Sequence, residues 1–175
     1  MAATDYRSYG NLITAAEVVS SAMTNANLDT SLISSNSVLI AEIAHMKEVL
    51  GGYFWGELRK GLDGDSLDTN ETALLNNYIK PCLALYVKYE VINDMQYNTT
   101  SIGIVTNEDE FSIPADESEL STVKEDTYRK AEILKRDLDS WLNDSNNKGV
   151  WVKYESSLNS KGSDSARRIG GIITY

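Results

Sequence analysis

The sequence predicts a mainly α-helical protein: a small helical bundle with long helices, a short extended or β insertion and an extended C-terminal arm. Three observations carry that expectation. Apolar residues recur three and four apart through most of the chain, the spacing that gathers them on one face of a helix. Two D-x-x-E tetrads, at 68–71 and 116–119, have the form of a helix start whose carboxylate acceptor follows three residues on. Runs rich in β-formers are short, at 102–105, 150–154 and in the last seven residues. With 175 residues the chain makes one domain, or one domain with arms. At that size about two-thirds of the unfolded surface can be buried without help from disulfides or metal.

Taken in order, residues 1–11 are polar and Tyr-bearing and read as an N-terminal arm. Leu12, Ala15, Ala16, Val19, Ala22, Met23 and Ala26 form one face of a first helix, with Thr14 and Glu17 as a capping box. A Ser/Asn/Asp-rich loop at 27–37 follows, with Leu32 and Ile33 expected to dock inward. Leu39, Ile43, Met46 and Leu50 define the next helix, with Ser37 as its N-cap and Gly51-Gly52 as its stop. Tyr53, Phe54, Trp55, Leu58 and Leu62 then give a short helix whose aromatics fasten it to its predecessor. After a Gly/Asp linker, Asp68 and Glu71 open a long helix to about Gln96, with one broad stripe of Leu75, Tyr78/Ile79, Cys82, Leu85/Tyr86, Tyr89 and Ile92. Pro81 removes one backbone donor from its middle, so a kink is expected there and not a stop, because the periodicity continues on both sides.

Residues 98–115 read as an extended loop holding the β-like run Ile102, Gly103, Ile104 and Val105. A last long helix carries Leu120, Val123, Thr127, Ala131, Leu134, Leu138 and Trp141 on one face. The pairs Glu125/Arg129, Asp126/Lys130 and Glu132/Arg136 support it by about 0.2–0.5 kcal/mol each. Residues 1–149 thus form a helical domain, and 150–175 a C-terminal arm in which a polar spacer ends in an apolar, β-prone heptad. Such an arm either folds back on its own helices or lies across a neighbouring subunit.

The composition excludes several kinds of chemistry. One Cys and one His make neither a disulfide framework nor a Cys/His zinc site. Sixteen basic against 26 acidic residues, a net charge of −10, suit a protein that does not grip a phosphate backbone. No basic flank with an apolar run opens the chain and no long apolar stretch occurs, so neither export nor a membrane span is expected. His45, with Glu42 and Glu48 three residues to either side, is expected as a packed or surface residue, and Cys82 as a small core residue. No glycine-rich phosphate loop and no calcium-loop pattern occurs. No catalytic, cofactor or metal-binding residue is therefore assigned, and no enzyme is expected.

The order of elements carries a resemblance. It runs from Leu12-Ile13-Thr14-Ala15-Ala16-Glu17-Val18-Val19, through a helix closed by Gly51, to Tyr78-Ile79-Lys80-Pro81-Cys82-Leu83-Ala84-Leu85-Tyr86. The extended Asn98-Thr99-Thr100-Ser101-Ile102-Gly103-Ile104-Val105 and a charged helix ending Trp141-Leu142 complete it. From Leu12 to Asn143 the chain resembles the head–tail connector (adaptor) proteins of tailed bacteriophages, those of the crAss-like phages among them.

The resemblance implies a structural virion protein at the head–tail junction, assembled in the host cytoplasm. Such proteins form a homo-oligomeric ring, usually of twelve copies, beneath the portal; the ring extends the DNA channel and docks the next tail component. Ile102, Ile104, Val105, Trp151, Tyr154, Ile169, Ile172, Ile173 and Tyr175 are the expected subunit or partner contacts. Glu108, Asp109, Glu110, Asp116, Glu117 and Glu119 are expected to face the lumen, where they would let DNA slide past unbound, or a basic partner surface. The alternative from another class is an acidic helical adaptor or regulator that binds a protein through its C-terminal tail.

Overall fold

A computed structural model describes residues 5–23, 29–100, 103–106, 117–144, 147 and 153–155, and they form a mainly helical body. The element order is α1 (Ala15–Ala22), α2 (Ser35–Ala41), α3 (Lys47–Leu50), α4 (Gly52–Asp63), α5 (Thr69–Leu74), α6 (Lys80–Gln96) and α7 (Glu117–Leu142). Two short strands, β1 (Tyr97–Thr100) and β2 (Gly103–Thr106), lie between α6 and α7 and pair antiparallel, with Tyr97 opposite Thr106 and Thr100 opposite Gly103. Among the described residues no helix is long and apolar enough to cross a membrane.

Two helix starts and one stop fall where the sequence places them. Thr14 caps α1 and Asp68 caps α5, each in a reciprocal box with Glu17 or Glu71. The α2 cap is Ser34, not Ser37: the Ser34 hydroxyl accepts the Ser37 amide, so the helix begins one turn earlier than the periodicity implies. Met23 ends α1, and Lys88 Nζ donates to the Ala22 carbonyl there, a cation placed at the negative end of the helix. The break between α3 and α4 falls at Gly51, with φ 75° and ψ 149°. A side chain there is strained, so Gly51→Ala is expected to lose about 1–3 kcal/mol. Chemical denaturation checks this, and an unchanged urea midpoint contradicts it.

Two π-helical turns, at Glu42–Met46 and Leu75–Ile79, were not legible in the sequence. The first shifts the buried face of the 35–50 helix, so that Val38, Ala41, Glu42, Met46, Val49 and Leu50 point inward while Ile40 is exposed. The second lies immediately before Pro81. The wide turn accommodates the missing amide, and the helical run continues unbroken from 69 to 96.

The core surrounds α6, which packs against α7, α1 and α2. Leu83, Ala84 and Val87 are buried along with Cys82 and Tyr86, so α6 is enclosed well beyond the single stripe read from the sequence. On α7 the inward residues are Thr127, Ala131, Leu138 and Leu142, whereas Val123 is exposed. Lys80 Nζ reaches Glu17 at 2.6 Å and ties α1 to α6. Burial alone raises the Glu17 carboxyl, but the bonds from Lys80 and from the Thr14 amide and hydroxyl outweigh it and hold the group below its ordinary range. In the linker, Ile33 is buried as expected but Leu32 is exposed.

Both ends of the described chain are fastened to the helices. Tyr6 lies against Gly56 so closely that a Cβ there would sit 2.4 Å from its ring, and its hydroxyl donates to Glu57. The segment read as an N-terminal arm thus rests on α4 at Tyr6 and Tyr9. At the other end, the helical turn at 153–155 inserts Tyr154 into the core, 2% exposed, with its ring tilted against Phe54 at 6.0 Å. Tyr154 was expected at a subunit interface; burial inside its own chain removes it from any such surface. An aromatic ring in an apolar cleft loses more water-exposed area than one left on an arm. Lys153 Nζ holds Glu71 at 2.6 Å beside it.

Candidate functional site

Two polar clusters stand out, one sealed and one at the surface. The sealed cluster centres on Glu42, which the π turn directs into the core. Glu42 Oε1 accepts the Leu12 amide at 2.6 Å, and Oε2 accepts Trp55 Nε1 at 3.1 Å and Arg59 Nη1 at 2.9 Å. Arg59 Nη2 also donates to the Tyr9 carbonyl, and the guanidinium lies 4.9 Å from the Trp55 ring centre. Arg59 Nε is buried without a hydrogen-bond partner. Glu42 and Arg59 are 0% and 1% exposed, so no substrate reaches them. Burial pushes the Glu42 carboxyl up, opposed by the Leu12 amide, Arg59 and Trp55. This is a clamp joining the N-terminal segment, the π turn and α4.

The surface cluster joins α6 and α7 through aromatic rings. His45 stacks on Tyr86 at 4.0 Å and 6°, with Tyr89 and Tyr128 edge-on at 6.3 and 6.2 Å. Its Nε2 lies 3.1 Å from Glu90 Oε1; a carboxylate only accepts, which assigns the proton to Nε2. Glu42 and Glu48, the neighbours in sequence, are not its partners. The Tyr86 hydroxyl donates to Glu132 at 2.5 Å. Burial and that carboxylate push the Tyr86 phenol upward, while the same hydroxyl holds Glu132 below its ordinary range. Cys82 is fully buried, its thiol 3.5 Å from the Ala131 carbonyl and pushed up to about 12 by burial, and so stays a neutral core side chain. Asp126 takes Arg129 and Lys130, both at 2.6 Å, so of the three pairs read from the sequence Asp126/Lys130 forms as written. Among the described residues no group of three or more His, Cys, Asp or Glu side chains is placed to hold a metal ion.

Most of the sequence-assigned contact residues lie outside the described residues: Ile102, Trp151, Ile169, Ile172, Ile173 and Tyr175, and the acids Glu108, Asp109, Glu110 and Asp116. Ile104 and Val105 are in β2, and Glu117 and Glu119 in the first turn of α7, where Glu119 is exposed. The sequence reading missed the pairing of Glu42 with Arg59 and of His45 with Glu90. The signal available was weak, a Glu between Ala41 and Ile43 and an Arg directly after Leu58.

Residues 48–166, well over half of the chain, match one family model, described as Family of unknown function (DUF6712). The chain belongs to that family. The matched stretch takes in Arg59, Tyr86, Tyr89 and the whole of α7, while Glu42 and His45 fall before it. No curated protein and no solved structure matches the chain.

Proposed function

We propose that the protein is a head–tail connector subunit of a tailed bacteriophage, one copy of a ring beneath the portal that extends the DNA channel and docks the tail. The observation that carries this reading is the hairpin β1–β2. Its principal packing among the described residues is between its own strands and against the end of α6 that leads into it. Two strands alone are marginal in water and leave unpaired backbone edges, so they call for a partner to cover them. A neighbouring subunit or the portal supplies that partner, with Ile102, Ile104 and Val105 at the contact. In this reading the β1–β2 hairpin meets a neighbour, and the helical body is the part that stacks in the ring. The ionisable groups of the body fit such a role: Glu42, Arg59, Cys82 and His45 are engaged in packing. A net charge of −10 suits a channel wall that DNA passes without being held.

Electron microscopy of the purified protein mixed with its own portal tests the proposal. A closed ring stacked on the portal is expected. A protein that stays monomeric and leaves the portal bare overturns it and favours an acidic helical adaptor or regulator that binds a protein partner through its C-terminal tail.

A further inference from the structure

Charge is segregated along the second half of the chain. Between residues 124 and 136 of α7, five basic residues (Lys124, Arg129, Lys130, Lys135, Arg136) outnumber three acidic ones, in a chain whose net charge is −10. Residues 107–116 hold four carboxylates, Glu108, Asp109, Glu110 and Asp116, and no basic residue, and they enclose the apolar Phe111 and Ile113. The basic stretch borders a groove of about 470 Å³ lined by Tyr89, Ser121, Lys124, Glu125, Tyr128 and Arg129. The rings of Tyr89 and Tyr128 stand 5.1 Å apart, and Tyr128 remains 39% exposed. Lys124 Nζ sits 4.9 Å over the Tyr89 ring, with no carboxylate in ion-pair reach among the described residues. Glu125 also lines the groove and Arg129 pairs with Asp126, so Lys124 is the rim cation among the described residues left to meet an acid beside an aromatic anchor.

We propose that this groove receives the acidic segment 107–116 of a second copy of the chain, with Phe111 entering beside Tyr89 and Tyr128 and a neighbouring carboxylate meeting Lys124. A second copy is the fitting occupant because head-to-tail contacts in a closed ring need two different, complementary surfaces on each subunit. One chain carries both: an acidic strap with an apolar anchor, and a basic aromatic groove. The inference rests on the ring reading for the presence of that second copy, and it supplies the contact that the ring reading leaves unspecified.

The test uses the full-length protein and a fluorescein-labelled peptide of residues 107–116, followed by fluorescence anisotropy. The peptide binds the protein, and Lys124→Glu or Tyr128→Ala in the protein, or Phe111→Ala in the peptide, weakens binding at least about tenfold. A peptide carrying Glu108→Lys and Glu110→Lys recovers affinity for the Lys124→Glu protein, and circular dichroism confirms that each protein variant keeps its helix content. A peptide that does not bind at millimolar protein, or that binds Lys124→Glu as well as wild type, overturns the proposal. Rings that form with the portal and survive excess peptide overturn the groove contact and leave the ring reading standing. Peptide binding by a protein that never associates, with or without portal, overturns the second copy and the ring reading together.

Discussion

Replacing Arg59 by Met is expected to lose about 3–5 kcal/mol of stability at pH 7, enough to unfold a marginal domain. The cost arises because Glu42 stays buried with a charge and no cation to face it. Its remaining donors, the Leu12 amide and Trp55 Nε1, do not neutralise that charge. The loss has a pH signature. Burial already holds the Glu42 carboxyl above its ordinary value of 4.5, and removing the guanidinium raises it further. A carboxyl whose folded-state value is raised stabilises the fold in its protonated form. The variant therefore regains stability as pH falls from that raised value toward 4.5, and loses it again as pH rises. The double variant Glu42→Gln/Arg59→Met removes the stranded charge and is expected to be more stable at pH 7 than Arg59→Met alone. Urea denaturation at pH 7 and pH 5 measures all three quantities. A loss under about 1 kcal/mol, equal at both pH values, would show that the clamp is not the joint described here.

Tyr154→Ala is the second large effect, expected to cost about 3–5 kcal/mol by emptying an aromatic-sized space beside Phe54. Tyr154→Phe should cost well under that, because the hydroxyl reaches Asn143 Oδ1 only at 3.4 Å. The pair of variants separates two roles for this residue. A side chain that serves only at a subunit contact leaves monomer stability untouched when truncated and lowers assembly. A core side chain lowers the thermal midpoint of the isolated protein. If Tyr154→Ala melts with the wild type, the turn at 153–155 does not belong to the core.

Much of the helical plan was legible because it depends on neighbours in sequence. A capping box needs residues three apart, so Thr14/Glu17 and Asp68/Glu71 declare α1 and α5 without any tertiary information. Gly51 marks the end of α3 for the same reason, since a positive φ is a local demand. The Ser37 assignment failed by one turn because Ser34 and Ser37 both carry hydroxyls and their 3.0 Å bond decides which one serves as the cap. The π turns were invisible since they shift the buried face by a fraction of a turn, and only packing against α6 reveals which face that is.

The candidate site was hidden more deeply. His45 and Glu90 are 45 residues apart, and Glu42 and Arg59 are 17 apart, so nothing in local spacing pairs them. Charged residues on amphipathic helices default to solvent, and two of these are instead sealed.

By itself the sequence determined the helical class, the starts of α1 and α5, the absence of a disulfide framework and a strongly acidic balance, all properties of composition or of contacts within one turn. Only the tertiary structure decided that Glu42 and Arg59 are buried partners, that Tyr6 and Tyr154 bind the ends of the described chain to the core, and that Tyr89, Lys124 and Tyr128 share a groove. Those facts depend on which helix faces meet, and that is settled by the packing of the whole core and not by spacing along the chain.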